Sequence, residues 1–477
     1  MFIGREQELT FLNESYNSNH AEMVVVYGRR RVGKTELITK FCEDKPNIFY
    51  AAKECSDGVQ LQSFSKAIVS YAPEQFKFVD NFRDWEQAFS ALTDIKTDKK
   101  LVVVIDEFPY MVRNNKSIPS ILQNLWDHML KNTNIMLILS GSSMSFIEDE
   151  ILGYKNPLYG RTTGIYKLEP LPYTDAIKFF PNYSDEDKVI AYSILGGIPH
   201  YLQQFDPQKT VEENIKNTIL RRGSILYNEV EFLLHEELRE PSTYNTVIEA
   251  VALGNTEYNA ILSKTLIEQR TLSVYIKNLT NLGILKKEKP SLSKPKENVG
   301  QNKGIYVLTD NFFRFWYAFC YPNLSLLEKG SVELAWKMLI KDNLHNFASK
   351  AFENIAIEYL YIINERGNLP SVFTELGRWW GKVTKTDENG KKITTSEEID
   401  VLGKAPNSIY ILGECKFTNA PFDMGQLKHL QNKLSLTGTV YYYLFSLSGF
   451  TSSVTETSKI ENNVFPIDIK QMLSVNL

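Results

Sequence analysis

At 477 residues the chain is long enough for about three domains, and its 43% hydrophobic and 23% charged shares exclude wholesale disorder. A net charge of −4 excludes a chain-wide basic bias, so any surface for nucleic acid has to be local. The four cysteines, Cys42, Cys55, Cys320 and Cys415, are scattered with no CxxC pair, which argues against a zinc site or disulfide framework and for a reducing, cytoplasmic setting.

The start, MFIGREQEL, is charged at once and has no apolar centre, unlike a signal peptide. The apolar runs MVVVY, LVVVI and IMLIL fall far short of the ~20 residues of a membrane span, so no membrane partner is expected. They read instead as buried parallel strands. Strands alternate with helical stretches over residues 1–168, the rhythm of an α/β parallel sheet.

Within that region MVVVYGRRRVGKTELITKF is a strand, a loop and a helix, and the loop is Gly28, Arg29, Arg30, Arg31, Val32, Gly33, Lys34 and Thr35. This is GxxxxGK[ST] in its required context. The glycines let backbone N–H groups curl around phosphates, and the helix N-terminus adds its dipole. Lys34 is then expected to pair with the β/γ-phosphates of ATP, and the Thr35 hydroxyl to hold Mg²⁺. In LVVVIDEF, Asp106 and Glu107 emerge at a strand end; Asp106 suits Mg²⁺ and Glu107 is placed to polarise the attacking water. The pair of carboxylates argues for hydrolysis rather than binding alone. A third strand, IMLILSGSS, ends in hydroxyls, and Ser140, Ser142 or Ser143 could sense the γ-phosphate or simply form a turn. Arg161, in NPLYGRTTG, could reach phosphate in a neighbouring subunit as an arginine finger, or be a plain surface arginine.

FIGREQEL, GRRRVGKT, VVVIDEF, LILSGSS, LYGR and GGIPHYL occur in this order over the first 235 or so residues. The ordered set resembles the archaeal-type AAA+/STAND-related P-loop ATPases. The resemblance implies an AAA+-like core with a helical lid over residues 169–238, and a possible nucleotide-dependent homo-oligomer. It also implies that Gly4 and Arg5 at the start, and Gly197 and Pro199 of the GGxP turn, flank the adenine.

Residues 239–325 read as helix, short helix, longer helix and a hairpin, a winged helix-turn-helix pattern. The third helix, near residues 270–282, exposes Arg270, Ser273 and Lys277 and buries Leu272, Tyr275, Ile276 and Leu279. The wing carries Lys286, Lys287, Lys289, Lys294, Lys296 and Lys303 against Glu288 and Glu297, a local basic surface for DNA phosphates. With few basic residues on the third helix, a pure packing role stands beside DNA contact.

A helical connector over residues 326–345 leads to a new α/β pattern over 346–477: helix, three strands, helix, strand. In GECKF, Glu414 and Lys416 share one strand face and Cys415 turns away. A turn centred near Asn407 puts Asp400 opposite Glu414, where cross-strand neighbours sit ~5 Å apart. Two such carboxylates could bind Mg²⁺ or Mn²⁺, with Lys416 stabilising or deprotonating a metal-bound water. Glu353 and Gln426 on flanking helices could face the same site, while Glu398, also on Asp400's face, has no evident role. The order and D…ExK set resemble the PD-(D/E)xK nuclease superfamily, with a restriction-endonuclease-like core. More closely they resemble the DUF234-type domain often fused to archaeal-type ATPases. No proline precedes Asp400, a departure from the superfamily. The combined reading is an ATPase switch controlling a DNA-directed, metal-dependent nuclease domain. The rival is a regulatory STAND-like ATPase whose C-terminal domain binds DNA or protein without cutting.

Overall fold

The computed structural model describes residues 2–144, 146–238, 240–292, 304–386 and 392–475. It forms two compact units, one of Met1–Leu171 with Ile198–His200 and one of Pro172–Gly197 with Tyr201–Leu477. No helix among the described residues is long and apolar enough to cross a membrane.

In the first unit five strands form one parallel sheet: β1 (Glu22–Tyr27), β2 (Asn47–Ala51), β3 (Leu101–Asp106), β4 (Ile135–Gly141) and β5 (Gly164–Lys167), in the order β2-β3-β4-β1-β5. Every residue of β1, β3 and β4 is buried, which is why these strands read as unbroken apolar runs rather than alternating ones. β5, at the sheet's edge, alternates half-buried and exposed residues. Since all five strands run the same way, the loops after β1, β3 and β4 leave from one end of the sheet. The register brings them level: Tyr27 pairs with Gly141, and Ile105 with Leu139. Gly28 follows β1 where the chain passes β5 so closely that a Cβ would sit 2.4 Å from the Leu168 carbonyl oxygen, so only glycine fits.

The second unit begins with helices. Its segment Pro172–Gly197, grouped by the sequence reading with an ATPase lid, packs here on the long helix Leu344–Glu365, and Tyr173 donates to the Met472 carbonyl at 2.8 Å. Three helices follow, Pro241–Ala252, Tyr258–Thr265 and Gln269–Asn281, then an antiparallel hairpin of β6 (Leu285–Glu288) and β7 (Ile305–Leu308). The C-terminal sheet has β8 (Glu375–Thr386), β9 (Lys392–Ala405), β10 (Ile409–Lys416), β11 (Thr439–Ser446) and β12 (Val464–Asp468), in the order β12-β11-β10-β9-β8. β8, β9 and β10 pair antiparallel, while β10, β11 and β12 pair parallel. The helix Met424–Lys433 makes the crossover from β10 to β11, as parallel neighbours require. The helix Leu344–Glu365 buries Ala348, Phe352, Ile355 and Tyr359 at three- and four-residue spacing and packs on β8, β9 and β10.

The helices and hairpin expected over residues 239–325 are present, with Leu272, Ile276 and Leu279 buried and Arg270, Ser273 and Lys277 exposed. Tyr275 is half-buried instead of buried, because its hydroxyl reaches out to the Glu240 carboxylate at 3.0 Å. Lys286, Lys287 and Lys289 are exposed; Lys294, Lys296, Glu297 and Lys303 lie outside the described residues.

Candidate functional sites

The phosphate loop occupies the end of β1. Gly33 takes the left-handed conformation that ends the loop, and the helix Lys34–Cys42 starts with no side chain capping its N-terminus. Its first N–H groups therefore face the loop, the arrangement that suits an anion. Lys34 is buried, and its Nζ donates to the Gly28 and Arg29 carbonyls at 2.9 and 3.1 Å. The Arg30 guanidinium donates to the Tyr110 hydroxyl at 3.3 Å, and Arg31 lies 2.6 Å from His200 Nε2.

Thr35 Oγ1 donates to Asp106 Oδ2 at 2.7 Å, while Ser140 donates to Asp106 Oδ1 from the neighbouring strand. Glu107, left-handed at φ 54, starts the helix Phe108–Asn114. Its Oε2 accepts from the Ser142 hydroxyl at 3.0 Å and from the Ser142 N–H at 3.2 Å. The two serines thus divide the work: Ser140 holds Asp106, and Ser142 holds Glu107. Hydroxyl and carboxylate oxygens brought together beside a buried lysine are hard donors of the kind Mg²⁺ takes, so the residues fit Mg·ATP. Thr35 and Asp106 would hold the ion.

The start of the chain is drawn to the loop. Arg5, buried and left-handed at φ 75, donates to the Val32 and Glu169 carbonyls at 3.0 and 2.9 Å and pairs with Glu8. Gly4 is also left-handed, at φ 70. Pro199 sits beside Gly33, its ring 3.8 Å from where a Cβ on that glycine would be. Gly197 falls in the second unit. Arg161 is not brought to the phosphate loop: its guanidinium forks onto Asp127 at 2.7 and 3.0 Å and also donates to the Pro157 carbonyl.

The second cluster lies at the β9–β10 hairpin. The pairing runs from Ile409–Ala405 to Gly413–Val401 and ends one residue short of Glu414 and Asp400. Asp400 Oδ2 accepts from the Cys415 N–H at 2.8 Å. Burial, then the charges of Glu353 and Glu414, push the Asp400 carboxyl up to about 7. Glu414 has both oxygens engaged, Oε1 by Lys416 and Oε2 by Lys433, each at 2.7 Å. Burial works against its charged form, but the two lysines outweigh it and leave the carboxyl below its ordinary range. At Lys416 burial is likewise the largest single influence, but the Glu414 bond together with the charges of Glu414 and Asp400 outweighs it and holds the ammonium above its ordinary range.

The surroundings differ from the sequence reading in two places. Gln426 does not face this cluster; its side chain and that of Asp423 form a reciprocal cap on the helix Met424–Lys433. Glu398 is taken by Arg378, which also pairs with Glu288 at 3.1 Å and Glu353 at 3.4 Å. Arg378 stands at the β8 irregularity between Gly377 and Trp379. Lys433, Arg378 and His200 escaped the sequence reading. Only His200 had a local signal, its place directly after Pro199 in GGIPHYL. Among the described residues no group of three or more His, Cys, Asp and Glu side chains is arranged to hold a metal. Asp400 and Glu414 are the right donor types for a hard cation, but one would have to displace a lysine from Glu414.

The first unit's sheet, loop and paired carboxylates define a P-loop ATPase domain. Residues 2–205 match a family model described as "ATPase domain predominantly from Archaea", and residues 316–430 match one described as "Archaea bacterial proteins of unknown function". The uncharacterized protein MJECL04 of Methanocaldococcus jannaschii is 35% identical over 400 residues, 82% of this chain and 86% of that one. The chain belongs to this family of archaeal-type P-loop ATPases. It is also similar to the uncharacterized ATP-binding protein PH0541 of Pyrococcus horikoshii, at 25% identity over 238 residues, 42% of this chain and 73% of that one. Among solved structures, the Walker-type ATPase PABY2304 of Pyrococcus abyssi is similar in fold, with a TM-score of 0.51 at 20% identity over 66% of this chain and 96% of that one.

Proposed function

We propose that the protein hydrolyses Mg·ATP at residues 28–35, Asp106 and Glu107, and that the nucleotide cycle controls a nucleic-acid-directed second unit. The observation that carries the first part is that each carboxylate is fixed by its own hydroxyls, Asp106 by Thr35 and Ser140 and Glu107 by Ser142. Bound Mg²⁺ supplies charge neutralisation at the phosphates. Lys34 binds the β/γ-phosphates, the loop N–H groups orient them, and Glu107 orients and takes a proton from the attacking water. Ser142 links that carboxylate to the γ-phosphate position. ATP binding and phosphate release by the Lys34→Ala and Glu107→Gln variants test this part.

For the second unit, the three helices and hairpin of residues 241–308 fit a winged helix whose exposed Arg270, Lys277, Lys286, Lys287 and Lys289 meet DNA phosphates. Asp400 and Glu414, close enough to interact through their charges, with Lys416 beside them, support a metal-dependent nuclease site. One observation favours the second reading, a domain that binds without cutting: Lys416 and Lys433 together occupy both Glu414 oxygens. A Mg²⁺/Mn²⁺ cleavage assay on several DNA forms, with and without ATP and with Asp400→Ala as control, decides between them.

A further inference from the structure

Arg31 and His200 are in contact, and their chemistry fixes the direction of the bond. Arg31 Nη1 lies 2.6 Å from His200 Nε2. A guanidinium has donors only and keeps its proton, so Nε2 accepts, the ring proton is on Nδ1, and His200 is neutral. Burial, and then the Arg31 charge, hold the imidazole below its ordinary range, in keeping with that state. Arg31 is a non-glycine residue with a left-handed backbone, φ 69, in the middle of the phosphate loop. Immediately after Arg31 the loop is braced by neighbouring segments. Arg5 holds the Val32 carbonyl at 3.0 Å, and Pro199 stands beside Gly33.

A triphosphate in this loop offers Arg31 a far better acceptor than a neutral ring. The guanidinium is charged with either partner, but a phosphate adds an opposite charge and accepts the arginine fork with two oxygens, where a ring offers one nitrogen. We infer that His200 and the nucleotide compete for Arg31, so that ATP draws the guanidinium onto its phosphates and releases His200. This rests on the reading of residues 28–35 as the triphosphate site. His200 is the last residue of the short Ile198–His200 segment, and the chain passes directly from it to Tyr201 of the second unit. Release of His200 is therefore a nucleotide-dependent event at a junction in the chain, one the phosphate-loop motif itself does not contain.

Competition predicts an affinity change opposite in sign to loss of a structural support. With the full chain and Mg·ATPγS, calorimetry should show His200→Ala binding more tightly than wild type, by about fivefold for one hydrogen bond no longer given up. His200→Gln, which keeps an acceptor, should stay near wild type. In an Arg31→Ala background the His200→Ala effect should vanish, since the shared partner is gone. Exchange of the His200 ring C2 proton in the wild-type chain, followed by mass spectrometry, should speed up when Mg·ATPγS is added. Weaker or unchanged binding by His200→Ala, an undiminished effect without Arg31, or unaltered ring exchange would each overturn the inference. A wild-type chain that does not bind Mg·ATPγS would overturn the ATP-site reading together with it.

Discussion

Thr35 Oγ1 donates a 2.7 Å hydrogen bond to Asp106 Oδ2, tying the first turn of the phosphate-loop helix to the end of β3. Ser140 holds the other oxygen of the same carboxylate from β4, so three consecutive neighbours in the sheet order, β3, β4 and β1, contribute to one point. Lys34→Ala should abolish ATP binding, because the β/γ-phosphates lose their buried cation. Glu107→Gln should bind ATP normally and lose turnover by about a hundredfold or more, the usual worth of a general base. Calorimetry and phosphate release on the two variants check this. Turnover by Glu107→Gln at the wild-type rate would remove Glu107 from its role.

The Arg161 fork on Asp127 gives a way to separate two roles for this arginine. Both side chains are partly exposed, at 28% and 35%, so the pair contributes at most about 1 kcal/mol to stability. If Arg161 serves as a finger on a neighbouring subunit's ATP, it has to leave Asp127. Arg161→Ala should then cut turnover by about a thousandfold with nearly normal nucleotide affinity. Asp127→Asn should leave turnover unchanged or raise it. Normal turnover in both variants, with equal small losses of melting temperature, would make the pair a surface ion pair only.

The parallel strands were legible because buried-on-both-faces strands need no alternation, and MVVVY, LVVVI and IMLIL have none. The nearness of Asp400 to the Glu414–Lys416 strand was legible for another reason. A hairpin's register follows from its turn, and Pro406–Ser408 centres it on Asn407, whose φ of 59 reverses the chain. What stayed hidden were partners set by packing between distant elements. Lys433 ends a helix 19 residues beyond Glu414, and Arg378 is aimed by a strand irregularity. Gln426 was misjudged because its position three residues after Asp423 makes it a cap, a local use that took precedence over the site.

Glu358 supplies a pH prediction. It is buried on the helix Leu344–Glu365, accepts from the Tyr173 N–H at 3.3 Å, and lies near Asp175. Burial raises its carboxyl from 4.5 to about 7, the Tyr173 bond opposing and Asp175 adding to the rise. The folded chain thus keeps a proton that the unfolded chain gives up, so stability falls as pH rises from about 4.5 to 7 and levels off above. Glu358→Gln keeps an acceptor and removes the charge. Its advantage over wild type in urea unfolding should be larger at pH 8 than at pH 5, by up to about 3 kcal/mol. An equal difference at both pH values would show that Glu358 ionises normally.

Lys286, Lys287 and Lys289 are exposed on and beside β6. If they meet DNA phosphates, replacing all three with alanine should weaken binding to every duplex sequence alike. It should also reduce the slope of log affinity against log salt by about 0.9 for each phosphate no longer neutralised. Fluorescence anisotropy over a salt series measures both. An unchanged slope would leave the hairpin a packing element.

The clamp on Glu414 makes the C-terminal site testable without presuming cleavage. Lys433 is buried, with its Nζ 2.7 Å from Glu414 Oε2, and Lys416 holds Oε1 at the same distance. A cation entering beside Asp400 has to displace one of these ammonium groups, but it also relieves the crowding of Glu353, Glu414 and Asp400 that, after burial, raises the Asp400 carboxyl. Lys433→Met keeps the buried stem and removes the competing charge, so it should bind Mn²⁺ more tightly than wild type. Asp400→Ala should bind none. Lys416→Ala should keep the metal and lose cleavage alone. Calorimetry with Mn²⁺ on the full-length variants, beside melting curves with and without the ion, reads these outcomes through binding and stabilisation. If neither wild type nor Lys433→Met takes up Mn²⁺, the paired lysines are the permanent partners of Glu414. The cluster is then an internal ion network of a binding domain, and the ATP site is unaffected by that result.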